Sequence, residues 1–302
     1  MKTKNLITIV GPTAIGKTAL SIKIANEYNA PIISCDSRQF YKETNIGTAV
    51  PTKEEQAQAH HYFIQDRSIF DDYNVGQFEK DALKKLEELF MTNDVVVMVG
   101  GSGLYVDAVI NGLDYFPEVS PEIRKQLNKD LEEKGLVSLQ ERLKELDSKT
   151  YENIAIENPH RIIRALEVCI GSGKTYSSFK NKPKAERKFN SIKIGLKADR
   201  EIIYDRINKR VDIMMQEGLL EEAKSVYPHK KLNALQTVGY RELFSYLDGE
   251  ISLEFAIEEI KKNTRRFAKR QITWFKKDSE TLWFEYLDYK ELILQELAKK
   301  IV

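Results

Sequence analysis

Apolar residues follow two alternating patterns along most of the chain. Short runs that are rich in β-branched residues are typical of buried strands. Four such runs occupy positions 6–10, 31–35, 94–99 and 191–196. Between them, apolar residues recur at helical spacing over 18–28 and over 75–90, and the second of these stretches has charged residues on the opposite face. Strands that alternate with amphipathic helices predict an α/β fold in which parallel strands form a doubly wound sheet.

Residues 117–190 differ from this pattern, because they are polar and show helical spacing without a convincing central strand. Ser120 followed by Pro121 is a typical helix start, since Ser caps the first turn and Pro fits its first position. Gly135 interrupts the helical pattern, and Asn158 before a proline starts another helix. The stretch therefore predicts a mainly helical insertion.

The insertion divides the predicted core into two parts of the chain. We predict an α/β core formed by 1–116 and 191–302, with 117–190 as the helical insertion domain. Beyond the insertion, 200–227 and 253–277 each predict one further long helix.

The segment that follows the first predicted strand has the phosphate-loop sequence GPTAIGKT. It matches the pattern G-x-x-x-x-G-K-[ST] and lies between a strand and a helix, as that motif requires. Its backbone N–H groups attract an anion, Lys17 adds a positive charge, and the Thr18 hydroxyl can bind Mg²⁺. The loop therefore predicts a site for a di- or triphosphate group. Its candidate residues are Gly11, Pro12, Thr13, Ala14, Ile15, Gly16, Lys17 and Thr18.

Two other predicted strands end in residues that can take part in chemistry. Asp36 follows the strand at 31–35, and the glycine-rich segment 100–103, which contains Ser102, follows the strand at 94–99. Because ligands bind at the carboxyl ends of strands in such sheets, we expect Asp36 and Ser102 near the phosphate loop. Asp36 can act as a general base or help to hold a metal ion, or it can cap the next helix. We expect its strand directly beside the strand of the phosphate loop.

Two observations limit the chemistry. The strand at 94–99 ends in Gly-Gly, whereas most phosphate-loop hydrolases have an Asp there that positions Mg²⁺. Ordinary ATPase machinery is therefore not indicated. His60 and His61 have no evident third ligand, which favours a structural role over a metal site.

Composition adds little to the choice of function. The chain has 302 residues, and 47 Lys and Arg against 46 Asp and Glu give a net charge of +1, so no global nucleic-acid signature exists. Cys35 and Cys169 are expected to be buried thiols in a reducing compartment. We expect a cytoplasmic protein without membrane contact, because neither a signal peptide nor a long apolar run is evident.

Positive charge is concentrated near the C-terminus. The stretch 258–277 has eight basic and two acidic residues, a net charge of +6 in a chain whose total is +1. We expect its apolar residues, among them Ile260, Phe267 and Trp274, to face the core. Its basic side, with groups that can bond or stack on bases, then predicts a nucleic-acid contact rather than an ordinary amphipathic helix.

Three further arginines have open roles. Arg161 and Arg164 lie on one face of a predicted helix, where they can reach a phosphate backbone or carboxylates such as Glu167. Arg210 can reach the bound phosphates, or it can pair with an acidic neighbour on its own helix.

Taken together, these motifs resemble the tRNA dimethylallyltransferase family over almost the whole chain. Members of that family prenylate N6 of the adenosine beside the anticodon. The matching blocks, in order, are GPTAIGKT at 11–18, DSRQFY at 36–41, VGGSGLY at 99–105, NPHRIIRALEV at 158–168, RVDIMMQEGLLEEA at 210–223, VGYREL at 238–243 and NTRRFAKRQITWF at 263–275.

The resemblance implies roles for individual residues. Residues 13–18 are implied to bind the diphosphate of dimethylallyl diphosphate, with Asp36 as the general base at the adenine N6. The implied catalytic residues are Asp36, Ser102, Lys17, Thr18 and Arg210, and Thr18 is the implied Mg²⁺ ligand. The positions implied to contact the tRNA anticodon stem-loop are Asp36, Ser37, Arg38, Gln39, Ser102, Arg124, His160, Arg161, Ile162, Ile163, Arg164, Lys269, Arg270, Gln271, Thr273 and Trp274.

The chain departs from the family pattern at a few positions. Ser102 stands where the family usually has Thr and keeps the hydroxyl group. Arg38 stands where the family often has Met, and this change can alter how the target base is held. The segment HHYFI at 60–64 replaces a common HHLID.

Other functions remain alternatives at this stage. An adenylate isopentenyltransferase shares the phosphate loop and the Asp, but the insertion and the basic stretch favour tRNA over a mononucleotide. A nucleotide kinase predicts an arginine-rich lid and phosphoryl transfer from ATP. A non-enzymatic RNA-binding module leaves the phosphate loop and Asp36 unexplained. We expect a monomer that uses dimethylallyl diphosphate, with the insertion and the basic helix holding the stem-loop from two sides.

Overall fold

A computed structural model describes residues 3–180, 185–287 and 289–301, without the side chains at 289 and 290. The chain divides into two compact units. The core unit comprises Met1–Asn111 and Glu186–Val302, and the insertion unit comprises Gly112–Ala185. The predicted insertion, 117–190, begins and ends slightly later along the chain, and its role as a tRNA-contacting domain stays a prediction.

The core unit is built on one parallel sheet, which confirms the predicted α/β fold. Its strands are β1 (Asn5–Val10), β2 (Ile32–Ser34), β3 (His61–Tyr62), β4 (Val95–Val99), β5 (Asn190–Lys197) and β6 (Leu282–Glu285). The order across the sheet is β3-β2-β4-β1-β5-β6, and each neighbouring pair is parallel. The predicted strands all form, whereas the two short edge strands β3 and β6 are not predicted.

The expected position of the Asp36 strand is wrong, because β4 lies between β1 and β2. The run VVVMV of β4 is apolar along its length and almost entirely buried, so it suits a central position with both faces covered. The loops that follow β1 and β2 are therefore both neighbours of the glycine-rich loop after β4.

Helices cover the sheet and form the insertion unit. They are α1 (Lys17–Glu27), α2 (Lys53–Gln58), α3 (Val75–Phe90), α4 (Gly103–Asn111), α5 (Pro121–Leu146), α6 (Ser148–Asn153), α7 (Pro159–Ser172), α8 (Arg200–Gln216), α9 (Leu219–Val226), α10 (Tyr240–Leu247), α11 (Leu253–Phe275) and α12 (Tyr289–Lys300). Short 3₁₀ helices occupy Tyr176–Phe179, Tyr227–His229 and Asn233–Leu235. Within the described parts of the chain, no helix is both long and apolar enough to cross a bilayer.

The single long helix predicted at 200–227 is wrong. It forms as two helices, α8 and α9, because Gly218 between them adopts a positive φ of 103°. Glycine reaches this conformation without the steric cost of a Cβ atom, so the chain can change direction here. The break places α9 against α10, and the buried side chains of Leu219 and Tyr240 belong to one apolar cluster with Ile260 of α11.

Apolar clusters lie on both faces of the sheet. One includes Ile7 and Ile194 together with buried residues of α1, and the other includes Val96 and Phe78. Helix α3 forms as predicted, with Asn74 capping its first turn and its apolar stripe in the second cluster. The two cysteines are free and buried, as expected.

The insertion unit has its own core. Its three helices α5, α6 and α7 enclose a cluster that includes Leu127, Leu143 and Leu166. Gly135 interrupts α5 with a φ of 76°, as the sequence predicts. The arrangement gives the unit a packed interior instead of an extended arm.

Asp147 holds two segments of the insertion unit together. Its buried carboxylate accepts hydrogen bonds from the Thr150 N–H at 3.0 Å and hydroxyl at 2.6 Å. It also accepts from the Ser177 N–H at 2.7 Å and hydroxyl at 3.0 Å. Burial acts to raise the pKa of Asp147, but these hydrogen bonds outweigh it and lower the pKa below its ordinary value.

We predict that Asp147→Asn lowers the free energy of unfolding by about 1–3 kcal/mol at neutral pH, because an amide cannot accept all four bonds. The ionised carboxylate stabilises the fold above its unfolded pKa of about 3.9, and this contribution disappears as the pH falls through the lower folded pKa. Urea unfolding should therefore show a difference between variant and wild type that shrinks on acidification. Glu145→Gln, at an exposed position, is the control. A difference that is independent of pH contradicts this role.

Candidate active site

The phosphate loop connects β1 to α1 through backbone conformations that need small residues. Gly11 has a φ of 144°, and a Cβ atom there would lie 2.8 Å from the Leu196 carbonyl oxygen of β5. Gly16, with a φ of 108°, precedes the first residue of α1, and Ala14 also has a positive φ of 63°. The sequence therefore closes the loop tightly around the N-terminus of α1, the geometry that suits an anion.

Two basic side chains, those of Lys17 and Arg210, lie in the wall of the cavity at the phosphate loop. The Lys17 ammonium donates to the carbonyl oxygens of Gly11 at 3.1 Å and Pro12 at 2.8 Å. Burial lowers the pKa of Lys17 to about 8, although the charge of Asp36 acts in the opposite direction. Burial and then the charge of Arg206 lower the pKa of Arg210. An anion that enters the loop favours the charged form of Lys17, which burial disfavours.

Asp36 lies directly beyond β2 in a turn, not at the start of a helix. Its Oδ1 accepts from the Arg38 N–H at 3.1 Å, and its own N–H donates to the Ser34 hydroxyl at 3.3 Å. The Ser102 hydroxyl accepts from the Ser37 N–H at 3.1 Å and lies 3.0 Å from the Ser37 hydroxyl. The loops that carry Asp36 and Ser102 are thus joined directly.

The glycines after β4 allow three neighbours to come close. A Cβ atom at Gly100 would lie 2.6 Å from the Cys35 sulfur. A Cβ atom at Gly101 would overlap the side-chain amide of Gln271, and one at Gly103 would overlap the Trp274 ring. Each glycine therefore allows a different close contact, two of them with α11.

Gln271 is predicted to contact tRNA, but the structure gives its side chain an internal role. It is 5% exposed. Its Oε1 accepts from the Thr13 N–H at 2.8 Å, and its Nε2 donates to the Gly101 carbonyl at 3.0 Å. One amide thus joins the phosphate loop to the glycine-rich loop. Sequence alone could not distinguish this role, because Gln271 lies within a basic surface stretch.

Two cavities of the core unit meet at these loops. The phosphate cavity, about 1070 Å³, is lined by 13–19 and 48–56. The second cavity, about 540 Å³, is lined by Ser102, Arg270 and Trp274 among others. The residues that line both are Thr13, Asp36, Thr48, Ala49, Arg210 and Met214. Asp36 therefore stands where a phosphate ligand and a second ligand can meet.

The basic stretch divides into two parts on α11. In the first part, Lys261 pairs with Asp212 at 2.8 Å and Lys262 pairs with Glu259 at 2.6 Å. In the second part, Lys269 and Arg270 are exposed, and the described residues contain no ion pair for them. Between these parts, and among the described residues, Arg265 and Arg266 bond only the neutral side chains of Asn208 and Asn263, so uncompensated positive charge extends from the middle of the helix to its C-terminal end. Thr273, Lys276 and Lys277 lie on the same exposed stretch.

The expectation that Phe267 and Trp274 face the core is wrong. Their side chains are 38% and 37% exposed, and both line the second cavity. The Trp274 indole N–H donates to Asp107 at 2.9 Å, which fixes the ring at the rim of the cavity. The buried face of α11 instead carries Ala256, Ile260, Ala268, Gln271 and Phe275.

The predicted residues of the insertion unit fall into two groups. Ile162 and Ile163 are buried in the core of the unit, so a contact of these two positions with tRNA would have to use the backbone, and the contact stays a prediction. His160 and Arg161 are exposed on α7. Ile162 and Ile163 therefore hold the helix in place while the adjacent polar residues face outward.

Two arginines of the insertion unit share one acidic partner. Arg124 pairs with Glu167 at 2.7 Å, and Arg164 pairs with the same carboxylate oxygen at 3.3 Å. The pairing with Glu167 that the sequence left open is thus present. Two guanidinium groups on one carboxylate leave a net positive charge at this surface.

Arg206 and Gln39 are structural supports of the site. The Nε of Arg206 donates to the Ala14 carbonyl at 2.7 Å and so holds the strained residue of the phosphate loop. The amide of Gln39, which is predicted to contact tRNA, donates to the carbonyls of Thr48 and Ala49. Arg206 lies one turn before Arg210 on α8, and this spacing is the only sequence signal for it.

A metal ion at this site has few protein ligands. The described residues contain no group of three or more His, Cys, Asp or Glu side chains that could hold a metal. The Thr18 hydroxyl and the Asp36 carboxylate are oxygen donors in the wall of the phosphate cavity. This donor set fits a hard cation such as Mg²⁺, which takes most of its other ligands from water and substrate phosphates.

The fold and site define an α/β protein in which the cavity at the phosphate loop adjoins a second cavity. A family model for IPP transferase matches residues 39–278, and the chain belongs to this family.

Relatives and solved structures of the same family are similar over nearly the whole chain. A tRNA dimethylallyltransferase of Flavobacterium psychrophilum is 59% identical over 98% of both chains. One from Flavobacterium johnsoniae is 61% identical over 96% of both. The crystal structure of a tRNA isopentenylpyrophosphate transferase from Bacillus halodurans has a TM-score of 0.72, is 35% identical and covers 98% of both chains.

We predict that the binding of inorganic diphosphate near pH 8 drives proton uptake by Lys17. With a pKa of about 8, the Lys17 amine is neutral in about half of the free protein molecules at this pH. Calorimetry in buffers of different ionisation enthalpy measures the number of protons. Lys17→Arg is the control, since a guanidinium stays charged and removes this uptake. At pH 8 the wild type should take up about half a proton more than the variant, whereas at pH 6 the two should differ little. Equal proton numbers at pH 8 contradict the prediction.

Proposed function

We propose that this protein transfers the dimethylallyl group of dimethylallyl diphosphate to N6 of the adenosine beside the anticodon in tRNA, releasing diphosphate. The observation that carries the proposal is the meeting of two cavities at Asp36 and Arg210. The names of its close relatives agree with this activity. A nucleotide hydrolase needs one ligand at the loop besides water, whereas this group transfer needs a diphosphate donor on one side and an acceptor base on the other.

The phosphate cavity contains the groups that would stabilise diphosphate as it leaves. The allylic C–O bond breaks as negative charge moves onto the leaving group. Lys17, Arg210 and amides of the phosphate loop stabilise that charge, because the fold places them in the wall of the phosphate cavity. A divalent cation, which we expect to be Mg²⁺ on Thr18 and the diphosphate oxygens, would neutralise further charge.

The second cavity provides for the acceptor. Its volume of about 540 Å³ is sufficient for a nucleobase, which has to leave its stack to expose N6 to a recessed site. The exocyclic amine is a weak nucleophile because its lone pair is delocalised. Asp36 would accept a proton from N6 as the N–C bond forms, and Ser102, bonded to the same loop, would orient the base.

The basic surfaces provide for the rest of the RNA. On α11, Lys269 and Arg270 are exposed next to the rim of the second cavity. On the insertion unit, Arg161 is exposed on α7. Such groups bind phosphates and fix the register of the RNA, while the aromatic rim at Trp274 can stack on a base.

The experiment compares acceptors. The protein and Mg²⁺ are incubated with chain-labelled dimethylallyl diphosphate and either tRNA, AMP, or nucleosides with ATP. Label in tRNA alone, located on the adenosine beside the anticodon, supports the proposal. Label in AMP alone identifies an adenylate isopentenyltransferase, and phosphorylation without prenylation identifies a kinase; either result contradicts the proposal.

We predict that Asp36→Asn lowers kcat by about 10²-fold or more, because the amide cannot accept the N6 proton. Its affinity for tRNA should stay near that of the wild type, since one carboxyl group is a small part of the RNA contact. Rapid-quench kinetics and filter binding measure the two quantities. Asp72→Asn, at an exposed position, is the control. Weak tRNA binding with normal turnover at saturation contradicts the role of Asp36 as a base.

We predict that replacing both Lys269 and Arg270 with Ala weakens tRNA binding about tenfold, because two phosphate contacts are lost. The slope of log K against log salt concentration should become shallower by roughly two. Lys262→Ala is the matched control, since this lysine of the same helix is already paired with Glu259. An unchanged slope in the double variant would show that α11 does not bind the RNA backbone.

A further inference from the structure

The segment 45–49, here called the junction loop, forms a wall between the two cavities. Asn45 and Ile46 line the phosphate cavity, Gly47 lines the second cavity, and Thr48 and Ala49 line both. Ala49 has a positive φ of 50°. The loop has no regular secondary structure, so other contacts have to hold it in place.

Glu222 of α9 accepts three of the hydrogen bonds that hold the loop. Its Oε2 accepts from the N–H groups of Asn45 at 2.9 Å and Ile46 at 2.8 Å. Its Oε1 accepts from the Gly47 N–H at 2.8 Å and from the Tyr240 hydroxyl at 2.5 Å. Three successive backbone N–H groups and one hydroxyl thus donate to a single carboxylate, so this side chain fixes the backbone of the loop.

Tyr240 and Gln39 complete the support of the junction loop. The Tyr240 side chain is fully buried, and a Cβ atom at Gly47 would lie 2.7 Å from its ring. On the other side, the Gln39 amide donates to the carbonyls of Thr48 at 3.3 Å and Ala49 at 2.8 Å. The loop is therefore fixed at both ends, by its N–H groups on Glu222 and by its carbonyls on Gln39.

We propose that Glu222 is a positioning residue for the allylic donor. It holds the junction loop so that the apolar side chains of Ile46 and Ala49 form a wall for the dimethylallyl chain beside Asp36. This inference rests on the proposed function, because it assigns a hydrocarbon chain to the space between the diphosphate and the acceptor. Without the carboxylate, the three N–H groups lose their partner, and the loop can move into the cavity.

The test compares Glu222→Gln with Glu221→Gln. Glu221 is the neighbouring residue on α9, is exposed, and bonds only Lys224 among the contacts described. In Glu222→Gln, the amide NH₂ group takes the place of one carboxylate oxygen and faces N–H groups of the loop, which it cannot accept from. We therefore expect kcat/KM for dimethylallyl diphosphate to fall about tenfold or more. The Kd for tRNA should change by less than about twofold, and the amides of 45–47 should exchange hydrogen faster while those of β1 and β4 stay protected. Glu221→Gln should resemble the wild type in all three measurements.

Tyr240→Phe tests the same contact if Glu222→Gln does not fold. It removes one donor and leaves the three N–H bonds, so we expect a smaller fall in kcat/KM and faster exchange limited to the junction loop. Wild-type values of kcat/KM in both variants overturn the proposal. Equal losses of donor and tRNA binding, with faster exchange throughout the core unit, also overturn it, because Glu222 then serves only stability.

A failure of the proposed function gives a different result. If the wild-type protein transfers no dimethylallyl group to tRNA, the proposed activity is wrong. The affinity of the wild type and of Glu222→Gln for dimethylallyl diphosphate alone, measured by calorimetry, still tests Glu222. Weaker donor binding by the variant supports the positioning role, and equal binding contradicts it.

Discussion

The close approach of three loops at the carboxyl edge of the sheet is the constraint on which the site depends. β4 lies between β1 and β2, so the glycine-rich loop after β4 has to pass both the phosphate loop and the Asp36 turn. Gly101 leaves room for Gln271, whose amide then bonds Thr13 on one side and Gly101 on the other. A side chain at Gly101 would displace Gln271 and separate the loops. The relative positions of the phosphate loop and the glycine-rich loop therefore depend on Gly101 and on the amide of Gln271.

The proposed role of the phosphate loop depends on the residues that surround it. By itself, the sequence from Gly11 to Thr18 indicates only a polyphosphate ligand. Asp36 and Arg210 line the phosphate cavity and the second cavity alike, so a group that leaves the phosphate side can be received directly on the other side. Burial lowers the pKa of Lys17, whose ammonium bonds to carbonyls of the loop. An anion bound at the loop would therefore stabilise a positive charge that burial disfavours. This arrangement suits a leaving group that is held while its carbon chain moves away.

The sequence predicted the features that are local or periodic. The strands β1, β2, β4 and β5, the helix α3, the interruption at Gly135 and the phosphate loop follow from apolar spacing and glycine positions. It did not predict the position of β4, because strand order depends on contacts between distant segments. The break at Gly218 was missed because a helical pattern continues on both sides of it. The inward position of Gln271 and the exposure of Phe267 are set by how α11 packs on neighbouring loops, which helical spacing alone cannot determine.

The most direct test of the account follows both parts of the donor in one turnover. Dimethylallyl diphosphate that carries a carbon label in its allyl chain and a phosphorus label in its diphosphate is mixed with excess protein, Mg²⁺ and tRNA. If the phosphate loop holds a leaving group, the carbon label enters tRNA at the adenosine beside the anticodon, and the phosphorus label is released as intact diphosphate at the same rate. Phosphorus label in the acceptor, or its release as monophosphate, would contradict the account.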